Sequence, residues 1–114
     1  MGVAEQLHVE IRYAADRVIL TLTGELDMAS APMLQSAVEG ADLDARELVV
    51  LDLKGLEFID STGLRVILAV RKLCVERGQD LAITQGSPQV ERLLSVTGVA
   101  DHLKMIPSPD APLA

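Results

Sequence analysis

Leu7, Val9, Ile11 and Tyr13 alternate with His8, Glu10 and Arg12. A period of two predicts a strand with one buried face, placed at a sheet edge. Ala14, Ala15 and Asp16 form a short connection to a second β-rich run over 18–23, ended by Gly24. So short a link predicts an antiparallel hairpin. Asp27-Met28-Ala29-Ser30-Ala31-Pro32 carries capping side chains and an early proline, a helix-start signal. Leu34, Ala37, Val38 and Ala41 follow at helical spacing. The nearly unbroken apolar run 48–53 predicts a central strand buried on both faces. A long helix is expected from Ser61 to about Gly78, with Leu64, Ile67, Leu68 and Cys74 inward and Arg65, Lys72 and Glu76 toward water. A short strand over 81–84 follows. Ser87-Pro88 then starts a third helix with Val90, Leu93, Leu94 and Thr97 on one face. Residues 104–106 suit a last short strand.

The resulting order, β-β-α-β-α-β-α-β, has no repeat, linker or low-complexity tract. Helices alternating with strands demand parallel pairing through crossovers. The expected fold class is therefore α/β, with a mixed, mostly parallel sheet and one antiparallel edge strand. One domain is expected over 1–106. The proline-broken segment 107–114 cannot continue a helix or a central strand and is read as a flexible tail.

Composition narrows the function. The chain has 114 residues, enough for one self-sufficient core. Nearly half of them are apolar, against disorder. Seventeen acidic against ten basic side chains, with no basic run, disfavour binding to nucleic acid. Phe58 and Tyr13 are the only aromatics, so base-stacking platforms are missing too. The single cysteine, Cys74, suits a reducing compartment. No leader pattern and no span long enough for stable membrane insertion is present, so a cytoplasmic location is expected.

Two strand-to-helix junctions carry the candidate chemistry: Gly24-Glu25-Leu26-Asp27 and Phe58-Ile59-Asp60-Ser61-Thr62-Gly63-Leu64. In a mostly parallel sheet such junctions gather at the carboxyl edge, which places Asp27 and Ser61 at the same end. Asp60-Ser61-Thr62 before an apolar helical run has the form of an ordinary N-cap, whose serine satisfies free N–H groups. The same position also suits a phosphate, because a helix start offers unpaired donors and a positive dipole end. Gly63 is expected to leave backbone open to close approach.

Other chemistries find less support. A nucleophile elbow wants glycine two residues before the serine, where this chain has Ile59, and His8 and His102 lie near opposite ends of the chain. Those histidines lack metal-ligand spacing and are expected on the surface. Cys74 shares a helical face with core residues and is read as core. Arg71 and Lys72 belong to a solvated helix face. No phosphate-binding glycine motif occurs, and no cofactor or metal is expected.

Thr23-Gly24-Glu25-Leu26-Asp27, followed by Phe58-Ile59-Asp60-Ser61-Thr62-Gly63-Leu64 before a long helix, resembles the STAS domain of the anti-sigma factor antagonist type. The likeness spans about 7–106 in motif and element order. It implies a STAS fold with helices packed mainly on one face of the sheet. It also implies a non-enzymatic switch. The unphosphorylated antagonist binds an anti-sigma factor that is also an ATP-dependent serine kinase, and so frees a sigma factor. Phosphorylation of the serine after the motif aspartate, here Ser61, abolishes that binding, and a PP2C-type phosphatase resets it. Asp27, Asp60, Ser61, Thr62 and Gly63 correspond to the partner-binding positions. Family members often carry a further C-terminal helix, which this chain replaces with its tail. A scaffold subunit of a stress-sensing complex, or an accessory subunit of a membrane transporter, remains an alternative role for such a domain.

Overall fold

A computed structural model describes residues 6–41 and 46–113. The first five residues of the expected domain, 42–45, and the last residue of the expected tail lie outside that description. The elements are β1 (Leu7–Tyr13), β2 (Arg17–Leu26), α1 (Ala31–Gly40), β3 (Leu48–Ile59), α2 (Ser61–Glu76), β4 (Asp80–Ile83), α3 (Pro88–Val96) and β5 (Lys104–Met105), with a 3-10 turn at Val99–His102 before β5. They form one five-stranded sheet in the order β1-β2-β3-β4-β5. Among the described residues β1 and β2 pair antiparallel and the other pairs are parallel.

Strand alternation sends side chains to two faces. Leu20, Leu22, Leu51, Leu53 and Ile83 point to one, where they meet Leu34 of α1, Ile67 and Cys74 of α2, and Leu94 of α3 in the main core. All three helices therefore share a face. Ile19, Leu48, Val50 and Ala82 point to the other, where Ile106 joins them. Among the described residues no helix covers this second face. Residues of the C-terminal segment lie there instead, with Ala111 and Leu113 packed on the apolar cluster.

That placement departs from the loose tail read in the sequence. Prolines bar the segment from helix and ladder, but do not bar side-chain and carbonyl contacts. Buried Arg17 donates to the carbonyls of Pro109 (2.9 Å) and Ala111 (2.7 Å), and Arg12 grips both carboxylate oxygens of Asp110 (3.0 and 2.8 Å).

Two strands outrun their expected ends. Gly24 does not stop β2; it carries the strand through at φ +104, where a Cβ would collide with the Gln6 carbonyl. β3 continues past 53 to Ile59, its pairing to β2 shifting between Thr21 and Thr23 and again between Gly24 and Glu25. The polar and glycine positions within 54–58 hide this continuation from a reading based on apolar runs. Leu56 and Ile59 nevertheless enter the core. On α2 the inward set is Leu64, Ile67, Val70 and Cys74, while Leu68 is 38% exposed. Leu68 follows Ile67 by one residue, a rotation of about 100° around the helix that turns it away from the sheet.

Candidate functional site

β2 and β3 end side by side, with Leu26 in register with Ile59. The next residues, Asp27 and Asp60, therefore open adjacent loops at the carboxyl edge of the sheet. The two junctions singled out in the sequence meet in space.

Asp60 ties them together. It is the N-cap of α2, and its Oδ1 accepts from the Gly63 N–H at 2.9 Å. Its Oδ2 accepts from the Met28 N–H of the other loop at 3.1 Å, and its own N–H donates to the Leu26 carbonyl at 3.2 Å. One carboxylate thus caps a helix and holds the neighbouring loop. The cap belongs to Asp60, so Ser61 is free of the capping role open to it on sequence grounds. Ser61 is the first residue of α2, exposed, and its hydroxyl makes no hydrogen bond among the described residues.

Asp27 organises its own turn. Its Oδ1 accepts from the N–H groups of Ala29 and Ser30, both at 3.0 Å. Ser30 is buried, and its hydroxyl accepts from the Asp27 N–H (2.9 Å) and donates to the Glu25 carbonyl (2.7 Å). Asp27 therefore closes the turn that leads into α1, while Ser30, the N-cap residue, braces the loop from inside and makes no side-chain cap to the helix.

Gly63 does not leave backbone open. It is buried, and a Cβ there would lie 2.5 Å from the Leu26 carbonyl oxygen and 2.8 Å from Leu26 Cγ. Its lack of a side chain lets the first turn of α2 close onto the end of β2. Thr62 is half-buried and faces a groove of about 770 Å³ between α1 and α2, which Gln35, Glu39, Arg65 and Ala69 also line.

Sequence pattern gave no sign of Gln89. From α3 its side chain accepts from the Ile59 N–H (2.9 Å) and donates to the Ile59 carbonyl (2.8 Å), fixing the strand end from which Asp60 springs. Met28 lies within the helix-start string, where its sequence gives no sign of a role, yet it is 75% exposed and its N–H donates to Asp60. Ser61, Arg65, Leu68 and Lys72 fall at i, i+4, i+7 and i+11 and form one exposed face of α2.

Cys74 is fully buried, and burial pushes its thiol up to about 11. His8 and His102 are exposed. Arg71 is more than a solvated cation, donating to the His102 carbonyl at 3.0 Å. Among the described residues, no helix is long and apolar enough to cross a membrane.

A parallel-rich sheet covered by helices on one face, with a helix-start serine beside two carboxylate-braced loops, defines a small α/β domain with its candidate site at the carboxyl edge of the sheet. Residues 7–111 match the STAS domain family, and the chain belongs to it. The match includes most of the C-terminal segment. The anti-sigma F factor antagonist of Paenibacillus polymyxa is 36% identical over 94 residues, covering 82% of this chain and 80% of that protein. Among solved structures, an anti-sigma factor antagonist from Mycobacterium paratuberculosis superposes with a TM-score of 0.82 at 22% identity, covering 96% of this chain and 93% of the other. The Bacillus cell fate determinant SpoIIAA shares the fold in two states. Its unphosphorylated form gives a TM-score of 0.73 at 17% identity (87% and 88% covered), and its phosphorylated form 0.67 at 16% (87% and 91% covered).

Proposed function

We propose that this chain is an anti-sigma factor antagonist switched by phosphorylation of Ser61. The observation that carries the reading is local: Asp60 takes over the capping of α2 and leaves the Ser61 hydroxyl exposed and unbonded at the carboxyl edge of the sheet. Kinship with the Paenibacillus antagonist supports the role.

In this reading the unphosphorylated chain binds an anti-sigma factor that is an ATP-dependent serine kinase, and the sigma factor is released. Asp27, Asp60, Ser61 and Thr62 shape the docking edge, and buried Gly63 sets its backbone. The kinase transfers the γ-phosphoryl group of ATP to Ser61 Oγ. A new O–P bond forms, the bond to ADP breaks, and the hydroxyl proton leaves. A PP2C-type phosphatase hydrolyses the ester and restores the binding form. The protein acts by binding, in the cytoplasm, and the chemistry belongs to its partners.

The energetics suffice. Phosphorylation adds about −1.5 to −2 charges. Weakening a complex about a thousandfold takes roughly 4 kcal/mol, about the size of one like-charge contact at 4 Å and an effective dielectric near 20. The unphosphorylated and phosphorylated structures of SpoIIAA both share this fold, which supports a switch that acts through charge without refolding.

The test is to immobilise Ser61→Ala and Ser61→Asp and identify what each retains from lysate of the source cells. The Ala form is expected to hold an anti-sigma factor kinase, and the Asp form to lose it. Retention of one transporter assembly, or one large scaffold of STAS subunits, by both forms would replace the switch with an accessory role.

A further inference from the structure

We infer that Arg65 is the internal counter-charge of phosphorylated Ser61, so that one modification withdraws an exposed cation from the docking face as it adds an anion. The inference rests on Ser61 being the phosphorylated residue. Its support is the geometry of α2. Ser61 and Arg65 are four residues apart in one helix, and both are exposed. Helical Cα–Cβ bonds tilt toward the N-terminus, so the side chain at 65 covers the turn in which Ser61 sits. Acid at i and base at i+4 is the favourable order for such a pair.

Arg65 is available for the role. Arg12, Arg17 and Arg71 are engaged with Asp110, with tail carbonyls and with the His102 carbonyl, respectively. Arg65 makes no hydrogen bond or ion pair among the described residues. The other charged groups around Ser61 do not compensate a phosphate. Asp60 adjoins it, and Asp27 stands on the neighbouring loop, both acidic. From α1, Glu39 lines the same groove as Arg65; Lys72 and Glu76 lie further along α2, and Arg77 just past its end. Arg65 is the first basic side chain after Ser61, and its planar fork can donate two parallel bonds to phosphate oxygens.

In the unmodified protein this side chain is exposed one turn from Ser61, where a partner docked on that loop can reach it. After phosphorylation it is held by the chain's own phosphate. The net charge added is that of the phosphate alone, but the Arg65 donors, turned to that phosphate, are no longer offered to a partner.

The experiment installs phosphoserine at 61 during translation, without any kinase, in the full chain, in Arg65→Gln and in Lys72→Gln. The second phosphate ionisation, ordinarily near pH 6, is followed by phosphorus NMR, and the Arg65 Nε–H signal by proton–nitrogen NMR. Unphosphorylated Arg65→Gln serves as the folding control. The phosphate midpoint is expected to rise by roughly 0.3 pH unit in Arg65→Gln. It should stay put in Lys72→Gln, whose charge lies about 16 Å further along the helix and is largely screened. In the parent chain the Arg65 Nε–H signal should shift with the phosphate's midpoint. Equal midpoints in the parent and Arg65→Gln, or equal rises in both variants, would overturn the pairing. Because no kinase is involved, those results leave the partner assignment untouched, and a failed kinase capture leaves this pairing untouched.

Discussion

Ser61 and Gly63 stand two residues apart and meet opposite surroundings. The Ser61 hydroxyl points to water without a protein partner, so Ser61→Ala is expected to change stability by no more than about 0.5 kcal/mol. Gly63→Ala brings a methyl group against the Leu26 carbonyl and the Leu26 side chain, which is fully buried and has no room to retreat. Such overpacking is expected to cost about 1–3 kcal/mol. Urea unfolding of the two variants compares them directly, and a Gly63→Ala protein as stable as its parent would mean that the loop relaxes around position 63. The residue types of this loop were legible in the sequence as a motif. Their division of labour was not, because Asp60, Ser61 and Thr62 are all chemically able to cap, and only the path of the backbone decides which one does.

At the scale of elements, the C-terminal segment occupies the position of a second covering layer. Ala111 and Leu113 pack on Ile19, Leu48, Val50 and Ala82, while Arg17, 6% exposed, spends two donors on the segment's carbonyls. Deleting 107–114 would bare that apolar patch and strand the Arg17 donors. The loss is expected to be about 2 kcal/mol, combining partial apolar burial with lost hydrogen bonds. For a chain of this size that lowers Tm by roughly 8 °C. Calorimetry of the truncated protein measures it, and an unchanged Tm would return the segment to the loose tail that its prolines suggest. Periodicity could not reveal this strap, since an irregular segment bound through its carbonyls leaves no alternating pattern.

Across the whole molecule, one buried thiol reports on folding. Burial raises the Cys74 thiol from 9.0 to about 11 in the native state. The unfolded chain therefore ionises first as pH rises. Stability from this group is intact below about pH 9 and drains away between 9 and 11, by as much as roughly 2–3 kcal/mol. Cys74→Ala lacks the titration. It should be the weaker protein near neutrality through lost packing, and its stability gap from the parent should narrow as pH climbs through this window. Paired denaturation curves at pH 8 and pH 10.5 decide it; a gap that stays constant would show that the thiol ionises as easily folded as unfolded.

Element order, sheet class and the meeting of the two junctions at one edge followed from the sequence, because alternation, helical spacing and early prolines act over a few neighbouring residues. The antiparallel β1–β2 pair followed for the same reason, from a connection too short for a crossover. Tertiary structure alone decided the rest. Asp60 reaches Met28 across 32 positions, Gln89 holds Ile59 across 30, and Arg17 holds Pro109 across 92. Each is a polar side chain whose partner is a main-chain group, and main-chain groups are alike at nearly every residue. Which of them comes within hydrogen-bonding distance is a property of how strands and loops are laid together, and no residue type announces it.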